Sequence, residues 1–333
     1  MEVPALNGTG VSRKSVWAFL ILAVVLSWPV WVISGVLPRG GMGAYDGRWL
    51  VAQIGVMGPS LAALIISASL SRELYSNSLR LLPFVLCPLV VPGILVAQAS
   101  PFRVSLMPTL PAVATVIVAA LVVLFLSLLN GRLLGPATGM PQPRPAASVV
   151  LLSLALPPAL FLLSWLFVNA QGGNLAIALL QAGPAGSAQI LLVCFAHNLL
   201  LGGSLGEEIG WRGFLLPALL KEMRPSTASV VLAVVSGLWH LPVDLYAGFG
   251  VTGVGAILAR IIFLVPISML FTWFYLHSKG SLLVAVLLHT SINVMSDLGL
   301  SSFEATTIVF GLLAAVATLI LWVSSALLRT PAA

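Results

Sequence analysis

Side chains able to do chemistry are few in this chain, and they sit in three otherwise apolar segments: Glu207 and Glu208 in GEEIGWRGFLLP, His240 in SGLWHLP, and His289 with Asn293 in LLHTSIN. An ionisable group at the centre of a bilayer costs about 2.5 to 3.5 kcal/mol on insertion scales. Their clustering therefore marks a candidate site.

Helical spacing sorts these residues into roles. Adjacent residues on a helix point about 100° apart, whereas residues four apart share a face, so Glu207 and Glu208 cannot line one wall. Glu208 faces Arg212 in the favourable acid-then-base order, which leaves Glu207 without a local cation. One carboxylate is expected to be structural and the other chemical. By the same spacing, His289 and Asn293 present an imidazole and a carboxamide side by side, two neutral donors suited to an oxyanion developing on an attacked carbonyl. One such donor is worth about 2.7 to 4 kcal/mol in transition-state stabilisation. His240 comes from another segment, with Pro242 just behind it to loosen the helix.

One glutamate with two histidines is also the ligand set of hydrolytic zinc sites, which here would be Glu207, His240 and His289. Against that reading, no HExxH motif is present, and Glu208 is already committed to Arg212. No cofactor is favoured, and a zinc-dependent site is the alternative.

The elements that must position these residues are membrane spans. Hydrophobic residues make up 59% of the 333 and charged residues 7%, with a mean hydropathy of +1.11. No soluble globular composition approaches this. Apolar runs near 16–37, 50–70, 81–97, 110–129, 148–168, 188–206, 226–243, 254–276, 280–298 and 306–328 predict an all-α fold, a polytopic transmembrane helical bundle of about ten spans. In the outer loops lie only Arg39, Arg48 and Arg103, while Arg13, Lys14, Arg72, Arg80, Arg132, Arg144, Arg212, Lys221, Arg224, Lys279 and Arg329 fall on the other side. The positive-inside rule then makes both termini cytoplasmic. The formal charge of +6 thus reports orientation, and nucleic acid is not expected as a partner.

Val16 to Leu37 is too long for the apolar core of a signal peptide, and Trp28, Pro29 and Trp31 replace the small residues of a cleavage site, so it reads as an uncleaved anchor. Cys87 and Cys194 lie in separate apolar runs with no metal-ligand spacing. The Pro/Gly-rich stretch from Asn130 to Pro145 divides the N-terminal spans, 1–147, whose role is unassigned, from a working core, 148–305, which a C-terminal span and tail, 306–333, follow. Residues 169–187 read as an uncharged segment at the outer interface. His197 reads as a buried hydrogen-bonding residue and His277 with Lys279 as a cytoplasmic turn, while Arg260 and Asp244 are expected to snorkel or pair. Trp17, Trp49 and Trp322 read as interface markers.

The pattern EExxxR from Glu207 to Arg212, then His240, then HxxxN from His289 to Asn293, resembles the CPBP intramembrane endopeptidases, a family of CAAX proteases and bacteriocin-processing enzymes. The similarity covers roughly 188–298, with Gly58-Pro59 loosely similar outside it. Ser236 stands where members usually carry Phe, with Trp239 beside the histidine, so the aromatic packing is expected to be relocated. The resemblance implies that Glu207 activates water, His240 positions it, His289 and Asn293 form the oxyanion hole, and Glu208 with Arg212 supports the scaffold. It implies an intramembrane endopeptidase in the cell membrane, its active site opening toward the cytoplasm, acting on a membrane-proximal protein or peptide substrate, lipidated or leader-like. Two other classes use the same residues: a proton-coupled transporter, and a non-catalytic immunity or scaffold protein that binds a partner in the cavity.

Overall fold

The computed structural model describes residues 11–36, 47–70, 145–169, 177–200, 203–247, 254–297 and 303–327. These form helices α1 (Arg13–Val36), α2 (Gly47–Val56), α3 (Gly58–Leu70), α4 (Ala147–Asn169), α5 (Ile177–Leu200), α6 (Ser204–Gly210), a π-turn (Trp211–Leu215), α7 (Leu216–Leu220), α8 (Pro225–Trp239), α9 (Leu241–Ala247), α10 (Val254–His277), α11 (Leu282–Asp297) and α12 (Phe303–Leu327). No strand occurs among the described residues. The chain is therefore an all-α bundle.

Five stretches among the described residues are long and apolar enough to cross a membrane: Arg13–Gly35, Ala52–Leu70, Ala147–Val168, Val254–His277 and Ile308–Ser325. Their outward faces are apolar as well; Trp17, Ile21 and Val25 recur every four residues along α1 and are 66%, 63% and 57% exposed. A stripe of that kind is covered by lipid, and helices satisfy their own backbone within it. This is a multi-pass membrane protein. The expected spans 81–97 and 110–129, Cys87, most of the Pro/Gly-rich connector and both termini lie outside the described residues.

Two expected elements differ in detail. The 50–70 run is broken at Met57, because Pro59 has no N–H and sits in the first turn of a new helix, where none is needed. The stretch read as interfacial, 169–187, contains the start of α5, which kinks at Gly183 (φ 66°). Trp17 is largely exposed, and Trp322 donates its Nε1–H to the Met269 carbonyl at 3.2 Å on α10.

The helices enclose a central space. α1 packs on α2 and α3, α3 on α6, α6 on α11, α11 on α4, α4 on α12, α12 on α10, and α10 on α8. Reciprocal indole bonds join the two ends of this circuit: Trp28 Nε1 donates to the Trp239 carbonyl and Trp239 Nε1 to Ser27 Oγ, both at 2.9 Å. Close approach of α6 to the α2–α3 corner depends on Gly206 and Gly210. A Cβ at Gly206 would lie 2.8 Å from the Val56 carbonyl oxygen, and one at Gly210 would lie 2.6 Å from the Pro59 backbone. Small residues four apart allow this kind of helix contact in a bilayer.

Gly210→Val is therefore expected to force α6 away from Pro59 and to destabilise the fold by about 1 to 3 kcal/mol, as overpacking against a fixed backbone does. Thermal unfolding of the purified variant in detergent checks this. A wild-type unfolding temperature would contradict the packing described.

Candidate active site

Glu207 and Glu208 lie on α6, which opens at Gly203 in the left-handed conformation (φ 98°). A Cβ at Gly203 would stand 2.9 Å from Glu207 Oε1, so the missing side chain makes room for the carboxylate. After Gly210 the helix widens into the π-turn, with the Leu216 N–H bonded to the Trp211 carbonyl. π-Turns inside helices are frequent at functional sites. This one carries Arg212.

The carboxylates divide the work. Glu208, fully buried, accepts at Oε1 from Arg212 Nη1 at 2.9 Å and from His289 Nδ1 at 2.7 Å. On its other side Arg212 lies over the Phe271 ring, 4.0 Å from the centroid. Among the described residues Glu207 forms no ion pair. The expected Glu208–Arg212 pair is present, and His289 is a partner that spacing within one helix did not reveal.

His289 and Asn293 stand one turn apart on α11. Because a carboxylate only accepts, the His289 Nδ1–H points at Glu208, and a neutral ring in that tautomer has a bare lone pair on Nε2. The expectation of two neutral donors therefore changes: Asn293 supplies a neutral one, while His289 donates from Nε2 only as an imidazolium, whose counter-charge is Glu208.

His240 sits at the break between α8 and α9, its N–H bonded to the carbonyls of Ser236 and Gly237. Its Nδ1 donates to the Ser236 carbonyl at 2.8 Å, which makes Nε2 the acceptor nitrogen. Trp31 stacks near the ring at 6.1 Å and Trp239 meets it edge-on at 4.7 Å. Trp211 in turn meets Trp239 at 5.5 Å. These indoles pack around the imidazole.

All six residues line one cavity of about 530 Å³: Glu207, Glu208, Arg212, His240, His289 and Asn293. Its further walls were not foreseen. Trp31 and Gln53 reach it from the N-terminal helices, and Phe161, Phe263 and Phe310 give it an apolar side. Arg260 also reaches it, paired with Asp244. His197 is on α5 and does not line the cavity, and His277 bonds Trp273 and Ser325 on the far part of α10. Among the described residues no group of three or more His, Cys, Asp and Glu side chains is disposed to hold a metal ion.

Removing Glu208 alone would bury the Arg212 guanidinium without its carboxylate, at a cost of about 3 to 5 kcal/mol, whereas replacing both partners is often near neutral. Glu208→Leu is accordingly expected to unfold at a markedly lower temperature than wild type, and Glu208→Leu with Arg212→Met to recover most of the loss. Equal stability of the two variants would contradict the pairing.

The family model described as Type II CAAX prenyl endopeptidase Rce1-like matches residues 187–295, which hold every one of these six residues. CAAX prenyl protease 2 of Methanococcus maripaludis is 28% identical over 175 residues, half of this chain and 62% of that relative. The match thus spans less than two thirds of the relative's length. By these matches and the order of its three motifs, residues 187–295 are similar to the type II CAAX prenyl endopeptidases.

Proposed function

We propose that the chain is an intramembrane endopeptidase that hydrolyses a peptide bond of a membrane-proximal substrate by glutamate-activated water. The observation that carries this reading is the convergence of Glu207, His240, His289 and Asn293 on one cavity, with Glu208 turned aside to Arg212 and His289.

In the proposed reaction a water molecule is held between Glu207 and His240 Nε2. Glu207 takes one proton as the oxygen attacks the scissile carbonyl, the general-base role that suits a carboxylate removed from solvent. The resulting oxyanion is met by the Asn293 carboxamide and by Nε2–H of the His289 imidazolium, which Glu208 keeps charged and oriented. On collapse the C–N bond breaks, and the leaving amine takes the proton from Glu207. No metal enters this scheme.

The apolar side of the cavity, lined by Phe161, Phe263 and Phe310, supports a substrate bearing an apolar group beside the cleaved bond. The relative's name supplies a concrete candidate, a prenylated CAAX terminus. By the charge count of the loops, the protein sits in the cell membrane with both termini and the cavity mouth toward the cytoplasm.

The test uses a quenched peptide carrying a farnesylated cysteine before its last three residues, with the unprenylated peptide beside it, and protein reconstituted in liposomes. Wild type is expected to cleave, and Glu207→Gln to fold normally yet lose about 10²- to 10⁴-fold in kcat. Asn293→Ala is expected to lose about 10²- to 10³-fold. A Glu207→Gln variant that cleaves at the wild-type rate would remove the assignment, and stoichiometric zinc with activity lost on chelation would replace it with a metalloprotease. Comparing the membrane peptidomes of cells carrying wild type and Glu207→Gln identifies the natural substrate.

A further inference from the structure

A second polar pair lies on the cavity wall. Arg260 Nε, on α10, donates to Asp244 Oδ1 and Oδ2 on α9 at 2.8 and 2.6 Å, and its Nη2 also donates to Oδ1. The Asp244 side chain is fully buried and that of Arg260 is 15% exposed. Burial of such a pair is poor ground for inferring stability, since replacing both partners by apolar residues of similar volume is often neutral or favourable. What it secures is geometry.

α9 has seven residues, too few to be stable through its own hydrogen bonds. It begins immediately after His240, and the Asp244 N–H bonds back to the His240 carbonyl at 3.1 Å. Asp244 is therefore one turn beyond the histidine. α10, which carries Arg260, also packs along α8, which ends just before His240. The ion pair thus ties the segment after His240 to the helix that braces the segment before it. Ring contacts with Trp31 and Trp239 and the bond to Ser236 then fix the remaining freedom of the imidazole.

We propose that Asp244 and Arg260 are positioning residues for His240: their ion pair docks α9 on α10 and holds the imidazole at the helix break in the cavity that Glu207 lines. This rests on the hydrolase reading for its kinetic consequence and on geometry alone for the rest. A shift of His240 by about 1 Å would cost up to about 10²-fold in rate without altering the surfaces that bind substrate.

The experiment compares wild type, Asp244→Leu/Arg260→Met and Arg260→Lys, each reconstituted at full length. It reads unfolding temperature, kcat and KM on the farnesylated peptide, and the rate at which diethyl pyrocarbonate modifies His240, followed by mass spectrometry with His197 and His277 as internal references. The double variant is expected to unfold at the wild-type temperature and to expose His240 to faster modification. Its kcat is expected to fall about 10- to 100-fold with KM nearly unchanged. Arg260→Lys, which keeps the charge pair, is expected to restore most of both readouts.

Wild-type His240 reactivity in the double variant overturns the proposal. So does a raised KM at wild-type kcat, which would make Arg260 a substrate anchor, and so does a fall in unfolding temperature that accompanies the kinetic loss, which would make the pair a structural tie. If wild type cleaves no peptide, the hydrolase reading fails, and His240 reactivity still decides the positioning role.

Discussion

A single carboxylate oxygen, Glu208 Oε1, accepts from the guanidinium of the next turn and from an imidazole 81 positions away in sequence. In a medium that penalises every lone charge, this arrangement compensates two donors with one acceptor group and fixes α6 against α11. It also decides the identity of its neighbour. With both donors drawn to Glu208, the adjacent Glu207 faces the cavity with no ion-pair partner among the described residues.

The rest of the bundle keeps that arrangement in place. Gly206 and Gly210 bring α6 against the backbone of Val56 and Pro59, so the helix that carries both glutamates cannot roll without a clash. The π-turn that follows sets Arg212 between Glu208 and the Phe271 face. On the opposite arc, the indoles of Trp28 and Trp239 join α1 to the end of α8 and bring Trp31 to the His240 ring. The N-terminal helices are thus part of the cavity wall as well as membrane anchors.

Much of this was legible in the sequence, for reasons that separate cleanly. Long apolar runs announce spans because a bilayer leaves no alternative to backbone self-satisfaction, and α1, α4, α10 and α12 lie where those runs lie. The Glu208–Arg212 pair was legible because it is local, one helical turn apart. His289 binding Glu208 was not, since no periodicity within one helix reports a partner on another, and that contact alters which His289 nitrogen can donate. The kink at Gly183 and the π-turn at Trp211 were hidden likewise, because α-helical spacing assumes the regularity that they break. Gly206 and Gly210 were visible as letters, but only the opposing Pro59 backbone gives their spacing a meaning.

In the proposed reaction Glu207 acts on water and does not itself attack the substrate. Single-turnover cleavage of the farnesylated peptide in H₂¹⁸O, with mass spectrometry of the new carboxylate and of the fragment spanning Glu207, tests it most directly. The expected result is one ¹⁸O atom in the newly formed carboxylate and none in Glu207. Isotope recovered in the Glu207 side chain after one turnover would mean that a covalent anhydride forms there, and would contradict it.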